Sequence, residues 1–245
     1  MKALILAAGV GSRLKPLTDA TPKALIPVNG VPLLERAAVR LKAAGAKSLV
    51  VNAHHHAAQV VEFCAGLSKR LGLPVAVSRE DDLLLDTGGA VKKAAALLKG
   101  REPFIVHNAD VVTEVDLKAM LAAHEESGAL ATLSVRERES GRAFLFDAKG
   151  RFVGHDDRKA GRTTWVKGAV PGALRLPFDG IHVLSPEFLD KMTESGVFSI
   201  IKPYLRLAAA GADIRAFRGD RWAWHDVGTV EKLAAAEAWA KSRPS

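Results

Sequence analysis

The sequence predicts an α/β protein in which helices flank a mostly parallel β-sheet, with a small antiparallel β extension. Three observations support this fold class. Short apolar segments alternate with helical patterns up to about residue 135, glycines follow the first apolar segment directly, and short β-like pieces take over from residue 136 onward. Strands that alternate with helices of about 10 to 15 residues are typical of parallel β-α-β units.

The elements of the first part follow from their apolar patterns. The predicted strands are 2–7, 48–51, 75–78, 104–107 and 130–135, and the predicted helices are 33–44, 57–71, 89–98 and 116–126. Segment 33–44 shows the helical pattern plainly, because its apolar residues recur every three to four positions and Gly45 follows as a stop signal.

The elements of the later part are shorter. The β-like segments 143–146, 151–153 and 180–184 are separated by Gly, Pro and charged turns, and they predict the antiparallel extension. Helices are expected at 186–192, 200–210 and 230–240, with Thr229 as the N-cap of the last. Because no repeat, linker or low-complexity tract interrupts the 245 residues, we expect one domain.

The composition excludes several classes of protein. A hydrophobic fraction of 48% and a charged fraction of 25% argue against disorder. No apolar run approaches the roughly 18 residues that span a bilayer, so no membrane association is expected. The apolar run at the start leads into Gly9 without a cleavage site, which indicates a strand and not a signal peptide. The single Cys64 is interpreted as buried filler, and a cytoplasmic location is expected.

The charge of the chain points to anionic ligands. The formal net charge is +8 and the isoelectric point is about 9.7, which favours partners that carry phosphate or other anionic groups. The basic residues are spread along the chain and do not alternate with aromatic residues. We therefore expect phosphorylated small molecules and no nucleic acid.

A glycine-rich loop follows the first strand and predicts phosphate binding. Gly9 and Gly11 let the backbone approach a ligand and free N–H groups for phosphate. The dinucleotide fingerprint is excluded because Leu14 stands where it needs glycine, and the Walker loop is absent. Arg13 and Lys23 follow in the same region, and they are suited to chelate and neutralise phosphate oxygens.

Two other features are less informative. The consecutive His54, His55 and His56 are interpreted as a polar turn, because neighbouring side chains point apart and seldom converge on one ion. Trp165 lies in the β-rich part, where its role stays open between packing and a sugar contact.

Four ordered motifs carry a resemblance to a known family. The segments LILAAGVGSRLKPLT and TPKALIPVNGVPLLE resemble the N-terminal motif of the sugar-phosphate nucleotidyltransferases. The resemblance continues through LDTGG at 85–89, NAD at 108–110 and WHDVGT at 224–229. Within the family, the chain is similar to the short bacterial N-acetylmuramate-1-phosphate uridylyltransferases. The Glu-Lys-Pro pattern of longer relatives has no clear counterpart, and residues 156–159 occupy that place.

This resemblance implies a fold and a division of the chain. The sheet would be Rossmann-like, of the GT-A-like type. Residues 1–135 would form a nucleotide-binding core, 136–228 a sugar-binding and second metal-ligand region, and 229–245 a C-terminal helix.

The resemblance also implies site residues. Arg13, Lys23 and Asp110 would be catalytic, and Asp110 and Asp226 would bind Mg²⁺ as the cofactor. The nucleotide-binding residues would be Ala8, Gly9, Gly11, Arg13, Lys23, Asn52 and Gly88. The sugar-binding residues would be Asn108, Asp179 and Gly180.

The expected reaction transfers a nucleoside monophosphate from a nucleoside triphosphate to a sugar 1-phosphate and releases pyrophosphate. UTP with N-acetylmuramate 1-phosphate is the first expectation. The alternatives are a heptose or hexose 1-phosphate with GTP, UTP or dTTP, phosphocholine with CTP, and a non-catalytic nucleotide-binding module. A monomer or small homo-oligomer is expected.

Overall fold

The computed structural model describes residues 1–243. The strands are β1 Lys2–Leu6, β2 Pro27–Val28, β3 Val31–Pro32, β4 Ser48–Ala53, β5 Val75–Arg79, β6 Phe104–Asn108, β7 Val111–Thr113, β8 Ala131–Val135, β9 Arg142–Phe146, β10 Phe152–Asp157, β11 Arg162–Trp165, β12 Leu174–Leu176, β13 Phe178–Leu184, β14 Ile214–Arg218 and β15 Trp224–Asp226. The helices are α1 Leu33–Ala43, α2 Ala57–Leu71, α3 Asp86–Lys93, α4 Ala95–Leu98, α5 Leu117–Ser127, α6 Pro186–Asp190, α7 Ile201–Ala209 and α8 Val230–Lys241. Residues 244–245 of the predicted C-terminal segment lie outside this described part.

The central sheet has seven strands in the order β14-β8-β13-β6-β1-β4-β5. The pairs β1–β4, β1–β6, β4–β5 and β8–β14 are parallel. The strand β13 lies between β6 and β8 and is antiparallel to both. The predicted mostly parallel sheet is therefore confirmed.

One element of the predicted extension belongs elsewhere. The segment 180–184 was expected in the antiparallel extension, but it forms most of β13, inside the central sheet. The expected location is wrong. All five residues of this segment are buried, on both faces of the sheet, as a central strand requires. Strand polarity was correctly expected, since β13 is antiparallel to its neighbours.

The extension itself is a four-stranded antiparallel sheet in the order β11-β10-β9-β12. Its inner face carries Phe144 and Phe152, whose rings meet edge to face with centroids 5.5 Å apart. Both belong to a buried apolar cluster that also includes Tyr204 of α7. Burial of these aromatic surfaces fixes the small sheet against the helix and the main sheet.

A two-stranded antiparallel sheet of β7 and β15 lies beyond the end of β6. The helix α8 follows β15, and the Thr229 side chain accepts a hydrogen bond from Lys232 N, as the predicted N-cap requires. A third apolar cluster, which includes Val112 and Val227, packs this region together.

Two further expectations can be compared with the structure. Within residues 1–243, no helix combines the length and apolarity that a membrane crossing needs. Cys64 is 1% exposed, and burial raises the pKa of its thiol to about 12. A thiol that stays protonated near neutral pH is a poor nucleophile, which agrees with the packing role.

Candidate active site

The glycine loop leaves β1 at the carboxyl edge of the parallel strands, where ligands bind in open α/β sheets. Gly11 adopts a φ of 70°, and a Cβ there would lie 2.8 Å from Thr18 Cγ2. The Thr18 hydroxyl donates a 2.8 Å hydrogen bond to the Gly11 carbonyl oxygen. Both the backbone conformation and the space therefore require glycine.

Two of the predicted residues form an ion pair. Asp110 follows β6 directly, and its carboxylate pairs with the ammonium of Lys23, which lies in a short 3-10 turn. The Lys23 side chain is 12% exposed and that of Asp110 is 33% exposed. The pair is thus partly screened from water and still open to a ligand.

The second predicted metal ligand lies beside the first. The antiparallel pairing of β15 with β7 aligns Asp226 with Val111, and Val227 N donates a 2.8 Å hydrogen bond to the Asp110 carbonyl oxygen. The Asp226 carboxylate pairs with the ammonium of Lys232, a cation that the sequence did not reveal. The fold therefore brings together two aspartates that are far apart in the sequence.

Gly228 leaves a space between Asp226 and Arg13. A Cβ at this position would lie 2.8 Å from Asp226 Oδ1 and 3.1 Å from Arg13 Nη2. Arg13 itself is exposed and lies in the 3-10 turn Ser12–Leu14. Because Gly228 has no side chain, the Asp226 carboxylate and the Arg13 guanidinium can both approach this position.

Asp110 and Asp226 are the residues that would hold a magnesium ion at this site. Within residues 1–243, no group of three or more His, Cys, Asp or Glu side chains has the arrangement to hold a metal. Two carboxylates would nevertheless be enough to hold Mg²⁺, because this ion also takes phosphate oxygens and water as ligands. Asp110 and Asp226 supply hard oxygen donors, and their side chains are 33% and 26% exposed.

A cavity of about 440 Å³ opens beside this charged group. Its lining includes the predicted Ala8, Gly9 and Lys23, together with Leu84 and Val197. The apolar part of this lining suits a nucleobase or ribose face, and the loop side suits phosphate.

Asn52 belongs to a buried network at the base of the cavity. Its Oδ1 accepts a 2.6 Å hydrogen bond from Ala7 N, and its Nδ2 donates a 2.7 Å bond to Glu80 Oε1. The second oxygen of Glu80 accepts a 2.9 Å bond from Leu85 N. Asn52 and Glu80 are 3% and 1% exposed, so they connect the glycine loop to the segment before α3. The sequence predicted Asn52 but not Glu80.

Gly88 has a packing role in this arrangement. A Cβ there would lie 2.5 Å from the Phe198 ring, and Gly88 N donates a 2.9 Å hydrogen bond to the Phe198 carbonyl oxygen. The cavity is lined instead by its neighbours Asp86, Thr87 and Ala90. This geometry does not support a direct contact between Gly88 and the nucleotide.

A second cavity of about 910 Å³ adjoins the first. Asn108, predicted as a sugar ligand, lines both cavities. Gly180 has a φ of 83°, and a Cβ there would lie 2.9 Å from Asn108 Nδ2. Gly180 thus lets the Asn108 side chain lie directly over β13.

Asp179 does not face either cavity. Its carboxylate is 0% exposed and accepts hydrogen bonds from Arg136 Nε at 2.7 Å and Ser134 Oγ at 2.9 Å. A fully paired, buried carboxylate holds the structure together, and this geometry does not support the predicted contact of Asp179 with sugar.

The second cavity is rich in cations. Five cationic side chains line it against two carboxylates, Asp86 and Asp157; the cations are Arg138, Arg142, Arg162, Lys202 and Arg206. Arg142 pairs with Asp157, and Arg206 pairs with Glu194. Among residues 1–243, the other three cations have no carboxylate partner.

Arg138 stands out among these cations. Its Nη2 donates a 3.0 Å hydrogen bond to the Phe178 carbonyl oxygen. Its guanidinium lies 4.5 Å from the centroid of the Trp224 ring. Its buried Nε has no hydrogen-bond partner in the described chain. Burial lowers the pKa of Arg138, and the nearby carboxylates of Asp179 and Asp226 oppose this shift. Because its surroundings come from distant segments, the sequence offered no signal for it.

The histidines and Trp165 add no metal ligand. His54 Nδ1 contacts the Glu80 carbonyl oxygen at 2.5 Å, and His55 and His56 pack ring to ring at 3.9 Å. Thr164, and not Trp165, lines the second cavity, as expected when adjacent strand residues face opposite sides.

Comparisons with known proteins identify the family of the chain. The profile of the family described as Nucleotidyl transferase matches residues 2–144. The N-acetylmuramate alpha-1-phosphate uridylyltransferase of Neisseria meningitidis is 34% identical over 98% of this chain and 98% of its own. The enzyme of the same name from Caulobacter vibrioides is 32% identical over 96% and 95%.

A solved structure shows the same fold. UDP-glucose pyrophosphorylase complexed with UDP-glucose superposes with a TM-score of 0.77 at 20% identity, covering 99% of both chains. The GT-A-like fold is therefore confirmed. From the matching profile and the nearly full-length relatives, we conclude that the chain belongs to the nucleotidyl transferase family, among the sugar-1-phosphate nucleotidyltransferases.

Proposed function

We propose that the protein transfers uridylate from UTP to N-acetylmuramate 1-phosphate in a magnesium-dependent reaction that releases pyrophosphate. The observation that most directly supports this proposal is that the β7–β15 pairing places Asp110 beside Asp226. Lys23 pairs with Asp110, and Arg13 lies near Asp226 at Gly228. Two carboxylates and two cations gather beside the first cavity, whose lining includes Lys23 and Asp110. This arrangement suits the transfer of a phosphate-bearing group.

The chemistry needs positioning and charge neutralisation. A phosphate oxygen of the acceptor attacks the α-phosphorus of the nucleotide, a new P–O bond forms, and the bond to the leaving pyrophosphate breaks. Because a phosphate monoester is already anionic near neutral pH, no general base is required. Lys23 neutralises charge near the α-phosphorus and Arg13 holds the outer phosphates.

The magnesium ion, held by Asp110 and Asp226, would supply charge neutralisation at the phosphate oxygens. The ion pairs with Lys23 and Lys232 orient the two carboxylates. When phosphate enters, each ammonium has a second anionic partner available.

The choice of acceptor rests on charge and on the relatives. The second cavity carries three cations without carboxylate partners among residues 1–243, and a phosphate monoester alone needs about two positive charges. N-acetylmuramate 1-phosphate has a lactyl carboxylate in addition to its phosphate. Two relatives that match over at least 95% of both chains bear the name of this activity.

A matrix of substrates tests the proposal. Four nucleoside triphosphates are combined with N-acetylmuramate 1-phosphate, N-acetylglucosamine 1-phosphate, glucose 1-phosphate, a heptose 1-phosphate and phosphocholine, and pyrophosphate release is measured with and without Mg²⁺. We expect the highest kcat/KM for UTP with N-acetylmuramate 1-phosphate. A preference for another acceptor would overturn the substrate, and nucleotide binding without turnover would favour a non-catalytic module.

A further inference from the structure

At the floor of the second cavity, a buried histidine presents an unpartnered polar atom. His182 lines this cavity and is 1% exposed. Its Nδ1 is hydrogen-bonded to the Tyr204 hydroxyl, and its Nε2 has no partner among residues 1–243. Since Nδ1 is occupied by Tyr204 and the residue lines the cavity, Nε2 is the ring nitrogen that a ligand in this cavity can reach.

The tautomer of His182 follows from its neighbour. Tyr204 is 0% exposed, and its hydroxyl has no other partner in the described chain. A buried hydroxyl donates its hydrogen to an available acceptor, so Tyr204 donates to Nδ1 and the proton of the imidazole lies on Nε2. Burial also lowers the pKa of His182 to about 3. The ring is therefore neutral near pH 7 and offers one N–H donor.

The walls around this donor are apolar. Phe178 meets the His182 ring edge to face with centroids 5.4 Å apart, and Phe144 lies 5.3 Å from Phe178. Ala143 and Leu205 also line this cavity. A neutral donor at the floor of an apolar recess suits a group with a carbonyl oxygen and a small apolar end, and it disfavours a charged group.

We infer that His182 is a specificity-determining residue that donates a hydrogen bond to the N-acyl carbonyl oxygen of the acceptor sugar, whose methyl group packs against Phe144 and Phe178. This inference rests on the proposed function. The cationic residues of the same cavity would bind the phosphate and carboxylate of the acceptor, and His182 would bind its neutral acetamido group.

The test compares two acceptors that differ only in this substituent. N-acetylmuramate 1-phosphate carries an acetamido group at carbon 2, and 3-O-lactyl-glucose 1-phosphate carries a hydroxyl there. We expect the wild-type enzyme to prefer the acetamido acceptor at least about tenfold in kcat/KM, the range typical of one hydrogen bond with its packing.

Two variants separate the donor from the ring. His182→Phe keeps an aromatic ring without the donor. It should lose most of this preference because its kcat/KM for the acetamido acceptor falls. His182→Gln keeps an N–H donor and should retain part of it. The KM for UTP should stay within about twofold in both variants, and a thermal melt reports whether each has folded.

The outcomes separate the two hypotheses. If the wild-type enzyme turns over both acceptors equally, or if His182→Phe folds and keeps the full preference, the role of His182 is wrong while the proposed function stands. If no sugar 1-phosphate is turned over at all, the proposed function is wrong and the role of His182 falls with it. Loss of activity with both acceptors equally in folded His182→Phe would also contradict a role in specificity.

Discussion

The backbone N–H of Val227 donates a 2.8 Å hydrogen bond to the carbonyl oxygen of Asp110. This bond continues the β7–β15 pairing by one position and holds the two candidate metal ligands at a fixed spacing. Because a main-chain ladder sets the spacing, side chains can be replaced there without moving the backbone. The carboxylates can therefore be tested by conservative substitution.

We expect Asp110→Asn and Asp226→Asn each to lower kcat at least about a hundredfold, because each removes one negative charge from the ligand set at the reacting phosphates. Steady-state pyrophosphate release over a range of Mg²⁺ concentrations measures the effect, and EDTA should abolish wild-type activity. Asp81→Asn, which changes an exposed carboxylate paired with Arg79, is the control. Full activity of Asp110→Asn at the standard Mg²⁺ concentration of the assay would contradict the assignment of Asp110 as a metal ligand.

The two cations of the loop should differ in kinetic effect. We expect Arg13→Ala mainly to raise the KM for nucleotide by about tenfold or more, since the proposed role of Arg13 is to hold the outer phosphates. Lys23→Ala should mainly lower kcat, because the charge near the α-phosphorus changes most in the transition state. Lys15→Ala removes an exposed lysine paired with Asp19 and should behave like wild type. An unchanged nucleotide KM in Arg13→Ala would show that the loop is misinterpreted.

A single methyl group should disturb the space between Asp226 and Arg13. We expect Gly228→Ala to lower kcat by roughly tenfold or more, since its Cβ would lie 2.8 Å from Asp226 Oδ1. The matched control is Gly100→Ala, whose Cβ would meet no atom closer than 3.8 Å. Equal activity of the two variants would mean that this space is not used.

The buried Asn52–Glu80 pair should matter for stability. Asn52→Ala leaves Ala7 N and a Glu80 oxygen without their partners, and we expect a loss of about 2–4 kcal/mol in the free energy of unfolding. Urea denaturation measures it, with Gln59→Ala as an exposed control. A loss below about 0.5 kcal/mol, the usual range of surface substitutions, would contradict a supporting role for this network.

Three buried histidines predict loss of stability in acid. Burial lowers the pKa of His107 and His124 to about 4 and that of His182 to about 3, from 6.5. The unfolded chain therefore binds more protons below pH 6.5, and the stabilisation present above that pH is lost as the pH falls toward the folded-state values. At about 1.4 kcal/mol per pKa unit, each histidine contributes roughly 3 to 5 kcal/mol.

Urea denaturation at about pH 7.5, 6.5 and 5.5 measures how the free energy of unfolding changes with pH. Most carboxylates do not titrate in this range. His124→Gln removes one of the three groups while keeping hydrogen-bonding atoms near Thr132 and Ser185. We expect a shallower pH dependence in this variant. The same slope in variant and wild type would show that His124 does not titrate as inferred.

Local patterns were sufficient to predict much of the fold. The strands β1, β4, β5, β6 and β8 and the helices between them lie where apolar periodicity indicated. The edge strand β14 was missed because Arg215 and Arg218 interrupt its apolar pattern, and β15 was missed because it has only three residues. The central position of β13 depends on which strands it pairs with, and the sequence carries no local signal for that.

The candidate site divides in the same way. Arg13, Lys23 and Asp110 belong to continuous motifs next to strand ends, so their neighbourhood was predictable. Glu80 and Arg138 gain their surroundings from segments far away in the sequence. The roles assigned to these residues in catalysis stay predictions until the variants are measured.

The late position of β15 has a consequence for protein synthesis. The glycine loop, Lys23 and Asp110 leave the ribosome early, whereas Asp226 follows more than a hundred residues after Asp110 (226 − 110 = 116). Domains mature from the N-terminus during translation. With Asp226 as a required ligand, a nascent or prematurely terminated chain that already has its nucleotide cavity cannot consume triphosphate. Turnover would begin only when β15 joins β7.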